Sequence, residues 1–281
     1  MSKTDMLGKA YTLRAIFLGA LLLLSANSTA QNYEQIHNKH IIYGMPTGTS
    51  PSSDLIIRDT YAMSANETTK FADWVAYRLT PEEVWGSLDL TRKWRADPWL
   101  EEDETLEPSG PDDYKGANSE PLKYDRGHLA PLASFKGTAE ASSVNYYSNI
   151  TPQAAALNQG PWKDLEEAVR RFVKRGNTVW VITGPLYETA MDDLPNTDEP
   201  HAVPSGFWKV IATCSKVETN CKGAAPSVFG VIMEQTTTRN TDWESKVVSL
   251  ANLRSRSGLN QLPSVTATSS LNAVDINWFT D

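Results

Sequence analysis

The stretch PWKDLEEAVRRFVKRGNTVWVITGPL, residues 161–186, predicts a helix followed directly by a buried strand. Pro161 suits the first helical turn, and Gly176 suits the position just past the helix end. The apolar run at 178–186 is short and ends on Gly-Pro, which is typical of a central strand. The apolar residues of the first half recur at steps of three and four, as on one helix face: Trp162, Leu165, Val169, Phe172 and Val173.

Further strands are predicted on both sides of this unit. GFWKVIATC (206–214) and SVFGVIMEQ (227–235) are apolar runs that suggest a hairpin. Upstream, DLIIRDTYAM (54–63) and KFADWVAYRLT (70–80) carry β-branched and aromatic residues in strand-like runs. Helices mixed with strands, without a regular strand–helix–strand repeat, predict an α+β fold around one sheet.

The N-terminus has the three parts of a secretory signal peptide. Three basic residues precede the apolar run AIFLGALLLLSA (15–26), and Ser28 and Ala30 are small residues at the expected cleavage site. A membrane anchor is the alternative, but the run is too short to span a bilayer comfortably. We therefore expect residues 1–30 to be removed and residues 31–281 to form one domain, secreted or periplasmic, with no membrane association after processing.

The charge balance excludes binding to nucleic acid through bulk positive charge. The formal net charge is −8, and removing residues 1–30 takes away three bases and one acid, which moves it to −10. Such a chain is repelled by a polyanion unless cations are concentrated at a site.

The two cysteines, Cys214 and Cys221, enclose a short loop. In an exported chain they favour a disulfide, with two free thiols as the alternative. A zinc site is poorly supported, since His201 is the nearest histidine and no CxxC motif is present.

The stretch YDRGHLAP (124–131) places a histidine beside an arginine in a chain with only 4 histidines. In an extended segment Arg126 and His128 point the same way. Histidine exchanges protons near neutral pH, but by itself His128 is a structural residue about as often as a catalytic one.

The residues that follow also have structural interpretations when each is taken alone. Asn158, just before the helix, is most simply a helix cap, although its oxygen is also free to bind a cation. Glu166 and Arg170 lie four apart on the helix, where such pairs are usually surface ion pairs of little energetic value.

Taken together, DRGH (125–128), SNITPQ (148–153), LNQGPW (157–162) and Leu165-Glu166 resemble the DNA/RNA non-specific endonucleases, the sugar-non-specific nucleases of Serratia type. Other stretches are similar to the same family, and the resemblance covers about residues 45–211: PTGTS, TTKFADWVAYRLT, TRKWRADP, DYKGAN, TGPLYE and VPSGFWKVI. The resemblance implies a layered α/β body with a central antiparallel sheet. It also implies a ββα-metal (His-Me finger) motif at the active site.

The resemblance also implies roles for individual residues. His128 would be the general base that activates water, and Asn149 would orient His128 or nearby groups. Asn158 would be the one protein ligand of Mg²⁺, with Mn²⁺ as a substitute, and Glu166 would hold the water shell of the metal. Arg126 and Arg92 would contact the scissile phosphate, with Arg170 as a weaker candidate.

These residues predict a secreted Mg²⁺-dependent endonuclease that hydrolyses DNA and RNA with little sequence or sugar specificity. Recognition of phosphates and not of base edges accounts for the low specificity. The alternative from another class is a catalytically inactive nucleic-acid-binding protein of the same fold. A phosphodiesterase for another ester is a more distant alternative. The sequence leaves open whether the chain forms a homodimer.

Overall fold

The structure is a computed structural model that describes residues 38–108, 112–119, 123–213, 226–265 and 275–280. The predicted signal peptide and the predicted disulfide between Cys214 and Cys221 both lie outside these residues. Within the described ranges, no helix has the length and apolar character needed to cross a membrane.

The body of the protein is built on a sheet of seven strands, in which every neighbouring pair is antiparallel. In spatial order these are β1 (Asp54–Ile57), β2 (Ala62–Asn66), β3 (Phe71–Leu79), β6 (Val179–Leu186), β7 (Gly206–Thr213), β8 (Ser227–Glu234) and β9 (Val247–Val248). A separate two-stranded ladder pairs β4 (Tyr124–His128) with β5 (Ile150–Ala154).

Among the described residues, five α-helices accompany the strands, and 3₁₀ turns occupy much of the chain between them. The helices are α1 (Pro81–Trp85), α2 (Ala155–Asn158), α3 (Pro161–Lys174), α4 (Leu250–Ser257) and α5 (Asn277–Thr280). The 3₁₀ turns are Glu102–Glu104, Leu132–Ser134, Ala139–Asn145, Tyr147–Asn149 and Trp243–Lys246.

Both faces of the central sheet are buried, because successive side chains of its strands alternate between two apolar layers. In β6, Val179 and Val181 belong to the layer that contains α3, whereas Trp180 and Ile182 belong to the layer that contains α4. This alternation is what a pleated strand imposes, and it explains why β6 and β7 are buried along their whole length.

The sequence-based prediction of an α+β fold with a central antiparallel sheet is confirmed. The predicted helix is α3, with Pro161 in its first turn and Gly176 just past its end at a φ of 95°, where a side chain is disfavoured. The predicted hairpin is β7–β8, paired from Gly206–Glu234 to Thr213–Ser227. β4, β5 and the following α3 give the expected ββα arrangement.

Candidate active site

A cleft of about 680 Å³ lies between β4, the exposed side of α3 and two loops around residues 88–94 and 131–136. Six of the seven predicted site residues line it: Arg92, Arg126, His128, Asn158, Glu166 and Arg170. The seventh, Asn149, does not. Five lysine or arginine residues and four acids line the cleft, so its charge balance is positive in a chain whose net charge is −8.

The ladder between β4 and β5 places Arg126 and His128 on the cleft. Between them, Gly127 lies opposite Thr151, and a Cβ atom at Gly127 would stand only 2.6 Å from Gln153 Cβ. The two strands can approach this closely only because residue 127 has no side chain. Gly127 therefore shapes the strand that presents its two neighbours to the cleft.

The imidazole of His128 is packed against the indole of Trp94, with 5.3 Å between ring centroids. Burial, with a smaller contribution from the nearby cation of Arg92, lowers the pKa of His128 to about 4. The hydrogen bond that the imidazole donates to Asn145 Oδ1 raises the pKa and so acts in the opposite direction. At neutral pH the imidazole is therefore uncharged and able to accept a proton.

Asn145 determines which ring nitrogen accepts that proton. Its Nδ2 donates to the backbone oxygen of Thr91 at 3.1 Å, so its Oδ1 faces His128 Nε2, also at 3.1 Å. Because an amide oxygen can only accept, Nε2 carries the hydrogen and Nδ1 keeps the free lone pair. Nothing local in the sequence marks Asn145, which is fully buried in a 3₁₀ turn.

Asn149 holds the backbone just after His128. It is fully buried, accepts a hydrogen bond from the Ala130 amide at 2.9 Å and donates to the oxygens of Ala130 and Val144. The imidazole thus donates its hydrogen bond directly to Asn145, while Asn149 fixes the backbone that follows His128.

Arg126 is already paired within the protein. Its guanidinium forms an ion pair with Asp112, and its Nε donates to Tyr147 Oη at 2.7 Å. Tyr147 in turn donates to Asp112 at 3.2 Å. The side chain is thereby oriented over the rings of Trp94 and Tyr114. Sequence alone did not indicate Asp112, which reduces the net charge that Arg126 brings to the cleft.

Asn158 is not the cap of α3, because the N-cap residue is Gly160 and no side chain caps the helix. Asn158 Nδ2 instead donates to Asp125 Oδ2 at 2.8 Å, and Gln159 donates to the same oxygen. This bond fixes the amide so that Oδ1 has no hydrogen-bond partner among the described residues. An amide oxygen held free beside a carboxylate is a suitable ligand for a hard cation such as Mg²⁺.

Glu166 lies between two cations. Its carboxylate is 4.0 Å from Arg170 in the cleft and 3.6 Å from Lys209, a fully buried residue of β7. Burial raises the pKa of the Glu166 carboxyl and lowers that of the Lys209 ammonium, while the attraction between the charges opposes both shifts. Lys209 also lies 4.4 Å from the ring centroid of Trp162.

A second group of carboxylates lies outside the cleft lining. The ligand atoms of Glu107, Asp113, Asp198 and Glu199 lie within 4.8 Å of one another. Burial, followed by repulsion from Glu199 and Asp113, raises the pKa of Glu107 to about 7. The oxygen donors suit a hard cation, but none of these residues contacts the imidazole or amide groups described above.

Comparison with known proteins gives a consistent result. Residues 36–268 match the family described as DNA/RNA non-specific endonuclease. The chain is 41% identical to a nuclease of Serratia marcescens over 85% of each chain, and 27% identical to a nuclease of Nostoc over 81% of each. It is also 30% identical to human mitochondrial endonuclease G over 60% of this chain and 56% of that protein.

A solved structure from the complex of EndoG with EndoGI has the same fold. It superposes with a TM-score of 0.65 at 22% identity, over 81% of this chain and 91% of that one.

Proposed function

Because the chain belongs to the DNA/RNA non-specific endonuclease family and is a nuclease, an enzyme that hydrolyses nucleic acids, we propose that it is a secreted, Mg²⁺-dependent endonuclease cutting within DNA and RNA. The observation that carries this proposal is the uncharged imidazole of His128, held in one tautomer by Asn145 and lining the same cleft as Asn158 and Glu166. A fixed base beside cations and hard oxygen donors is what phosphodiester hydrolysis requires.

His128 acts as the general base in this proposal. With Nε2–H donated to Asn145, the lone pair on Nδ1 takes a proton from the water that attacks phosphorus. The imidazolium formed is stabilised by the hydrogen bond to Asn145 and is opposed by the Arg92 cation. It therefore releases its proton readily to solvent water, and the base is regenerated.

The residues present fit a divalent metal. Asn158 Oδ1 would be the protein ligand, with Asp125 fixing the amide and Glu166 holding water around the ion. When bound, Mg²⁺ would supply charge to stabilise the phosphoryl oxygens and the leaving oxygen, and it tolerates few protein ligands because it retains water. Mn²⁺, which also prefers oxygen ligands, would substitute.

The arginines bind and orient the substrate. Arg92 is exposed on the cleft, so it is available to a phosphate, and Arg126 is held in position by Asp112 and Tyr147. Arg170 lies deeper, next to Glu166, and donates to Ser134 at 3.5 Å. Contacts aimed at phosphates do not distinguish bases or sugars, which explains action on both DNA and RNA.

The proposal places the mature enzyme outside the cytoplasm. Residues 1–30 serve as the signal peptide and residues 31–281 form the nuclease domain, as the charge and small-residue pattern of the N-terminus suggests. N-terminal sequencing of the exported protein tests this, and a first residue far from position 31 would contradict it.

One assay tests the activity. The mature chain is incubated with circular plasmid DNA and with RNA, in Mg²⁺ or in chelator, alongside His128→Ala and the control His201→Gln, which alters a histidine outside the cleft lining. We expect cleavage of both polymers by the wild type and by His201→Gln in Mg²⁺ only, and loss of cleavage in His128→Ala. A wild type that binds both polymers but cuts neither would support the inactive binding protein instead.

A further inference from the structure

A second groove, of about 420 Å³, lies beside the C-terminal half of α3. Its lining includes two basic residues of that helix, Arg171 and Lys174, and the C-cap residue Arg175, together with Trp85 at the end of α1. We call it the basic groove. The active-site residues described above do not line it.

The basic residues of this groove are available to a ligand. Arg171, Lys174 and Arg175 are all exposed, and none forms an ion pair with a carboxylate in the part of the chain that the structure describes. Arg175 donates to the Phe279 backbone oxygen at 2.7 Å, which holds its side chain along the groove. A single acid, Glu244, lies in the lining. This concentration of positive charge is unusual in a chain with a net charge of −8.

The groove also presents an aromatic face. Trp85 is 63% exposed, the most exposed large apolar side chain in the described chain. Its ring is held by Lys174, whose ammonium lies 4.8 Å from the ring centroid. An exposed indole beside unpaired cations is the combination with which proteins bind single-stranded nucleic acid, through base stacking and phosphate contacts.

The groove continues the catalytic cleft. Arg170 lines the cleft and Lys174 lines the groove, and residues four apart on a helix are neighbours on one face. On the opposite wall, Trp85 lines the groove while Leu88 lines the cleft three residues later. A strand leaving the cleft past Arg170 therefore meets Lys174 next, and then Trp85.

We propose that the basic groove is an extended substrate-binding site for single-stranded nucleic acid, in which Trp85 stacks on an unpaired base and Arg171 and Lys174 contact phosphates outside the cleft. The inference rests on the proposed function, because the nucleic-acid strand bound in the groove is the same strand that occupies the cleft. Duplex DNA gains less from the groove, because its bases are already stacked on one another. The groove thus favours RNA and single-stranded DNA of sufficient length.

The test compares Trp85→Ala and the double variant Arg171→Gln/Lys174→Gln with a control, Lys39→Gln/Lys70→Gln. The control also removes two positive charges, but from residues that line neither the cleft nor the basic groove. The substrates are a 30-residue oligothymidylate and, as the short substrate for comparison, a tetranucleotide. We expect KM for the 30-mer to rise about tenfold in both groove variants, with kcat and all tetranucleotide constants unchanged.

Binding of the labelled 30-mer in chelator, followed by fluorescence anisotropy, gives a second readout that needs no cleavage. The slope of log affinity against log salt should fall by about 1.4 in the double variant, since each lost phosphate contact on a single strand accounts for about 0.7. If KM rose equally for the 30-mer and the tetranucleotide, the inference would be overturned. The same holds if the groove variants bound the 30-mer with the affinity and the salt slope of the wild type. A wild type that binds the 30-mer through the groove but cuts nothing in Mg²⁺ would instead refute the proposed function alone.

Discussion

The ammonium of Lys209 lies 3.6 Å from Glu166 Oε1 and connects the fully buried strand β7 to the catalytic cleft. Lys209 has no hydrogen-bond partner among the described residues, so its charge is directed at Glu166 and at the face of Trp162. Burial raises the pKa of Glu166, and a buried cation in this position opposes that shift and so favours the ionised carboxylate, the form that can hold water.

Lys209→Met should therefore lower kcat while leaving the KM for DNA unchanged. We expect a loss of about 10- to 100-fold, the range typical of residues that act through a metal-site neighbour. The decisive measurement is the same substitution in a Glu166→Gln background, where Lys209→Met should cause no further loss of kcat. Independent, additive losses would show that Lys209 does not act through Glu166. Thermal unfolding must confirm that the variants are folded, because breaking a buried pair costs about 3–5 kcal/mol.

The imidazole of His128 should titrate far below the usual histidine range and carry its proton on Nε2. Burial and Arg92 lower its pKa to about 4, so the base is neutral, and competent, at every pH above that value. Nitrogen-detected NMR of the histidine side chains can measure both properties, with His128→Asn identifying the signal among only 4 histidines. Arg92→Gln should raise this pKa by removing a cation. A midpoint near 6.5, or the Nδ1–H tautomer, would contradict the proposed base.

Asn145→Ala should reduce kcat by about 10- to 100-fold with little change in KM, because the imidazole loses the acceptor that fixes its tautomer. Asn145→Asp is the matched comparison, since it keeps an acceptor for Nε2–H and adds a negative charge. It should raise the pKa of His128 and move the acid limb of the kcat/KM profile to higher pH. If Asn145→Ala and the wild type had equal kcat, Asn145 would have no positioning role.

Asp125→Ala should weaken metal binding by releasing the amide of Asn158. The Mg²⁺ concentration for half-maximal activity should rise about tenfold, whereas kcat at saturating Mg²⁺ should largely recover. Gln159→Ala is the control, because Gln159 donates to the same oxygen of Asp125 but is exposed. An activity that saturating Mg²⁺ does not restore would indicate that Asp125 acts directly on the metal or substrate.

Glu107→Gln should stabilise the protein at pH 8 but not at pH 4. The pKa of Glu107 is raised to about 7 in the folded protein, above its ordinary value of 4.5, so the folded state binds the extra proton between these values. The protonated Glu107 therefore contributes its full share to the free energy of unfolding below pH 4.5, and this contribution is lost as the pH rises through 7. Thermal unfolding in chelator at both pH values measures the effect. Equal shifts at pH 4 and pH 8 would contradict the raised pKa.

The main elements of the fold were predictable because their signals are local. The apolar periodicity of Pro161–Lys174 defines α3, and the continuous apolar runs of β6 and β7 reflect strands buried on both faces. Because side chains alternate in direction along a strand, Arg126 and His128 of β4 lie on one side of the ladder. The predicted roles of the site residues remain predictions for the experiments above.

The contacts that tune the site could not be predicted, because they join residues that are distant in the sequence. Asn145 is 17 residues from His128, and Asp125 is 33 residues from Asn158. Asparagine in a loop and aspartate before an arginine have no pattern of their own that distinguishes them from ordinary turn residues. Lys209 likewise occurs within an otherwise apolar strand, where only the position of α3 reveals its partner.

The sequence by itself therefore determined the family and the helix, because these depend on residue type and on the spacing of neighbours along the chain. The central antiparallel sheet and the candidate base and metal ligand followed from the sequence only through what the family resemblance implies. Only the tertiary structure decided the tautomer of His128, the free oxygen of Asn158 and the pairing of Glu166 with a buried lysine. The physical reason is that hydrogen bonds and charge pairs act over a few ångströms in space, and packing of β4, α3 and β7 sets those distances.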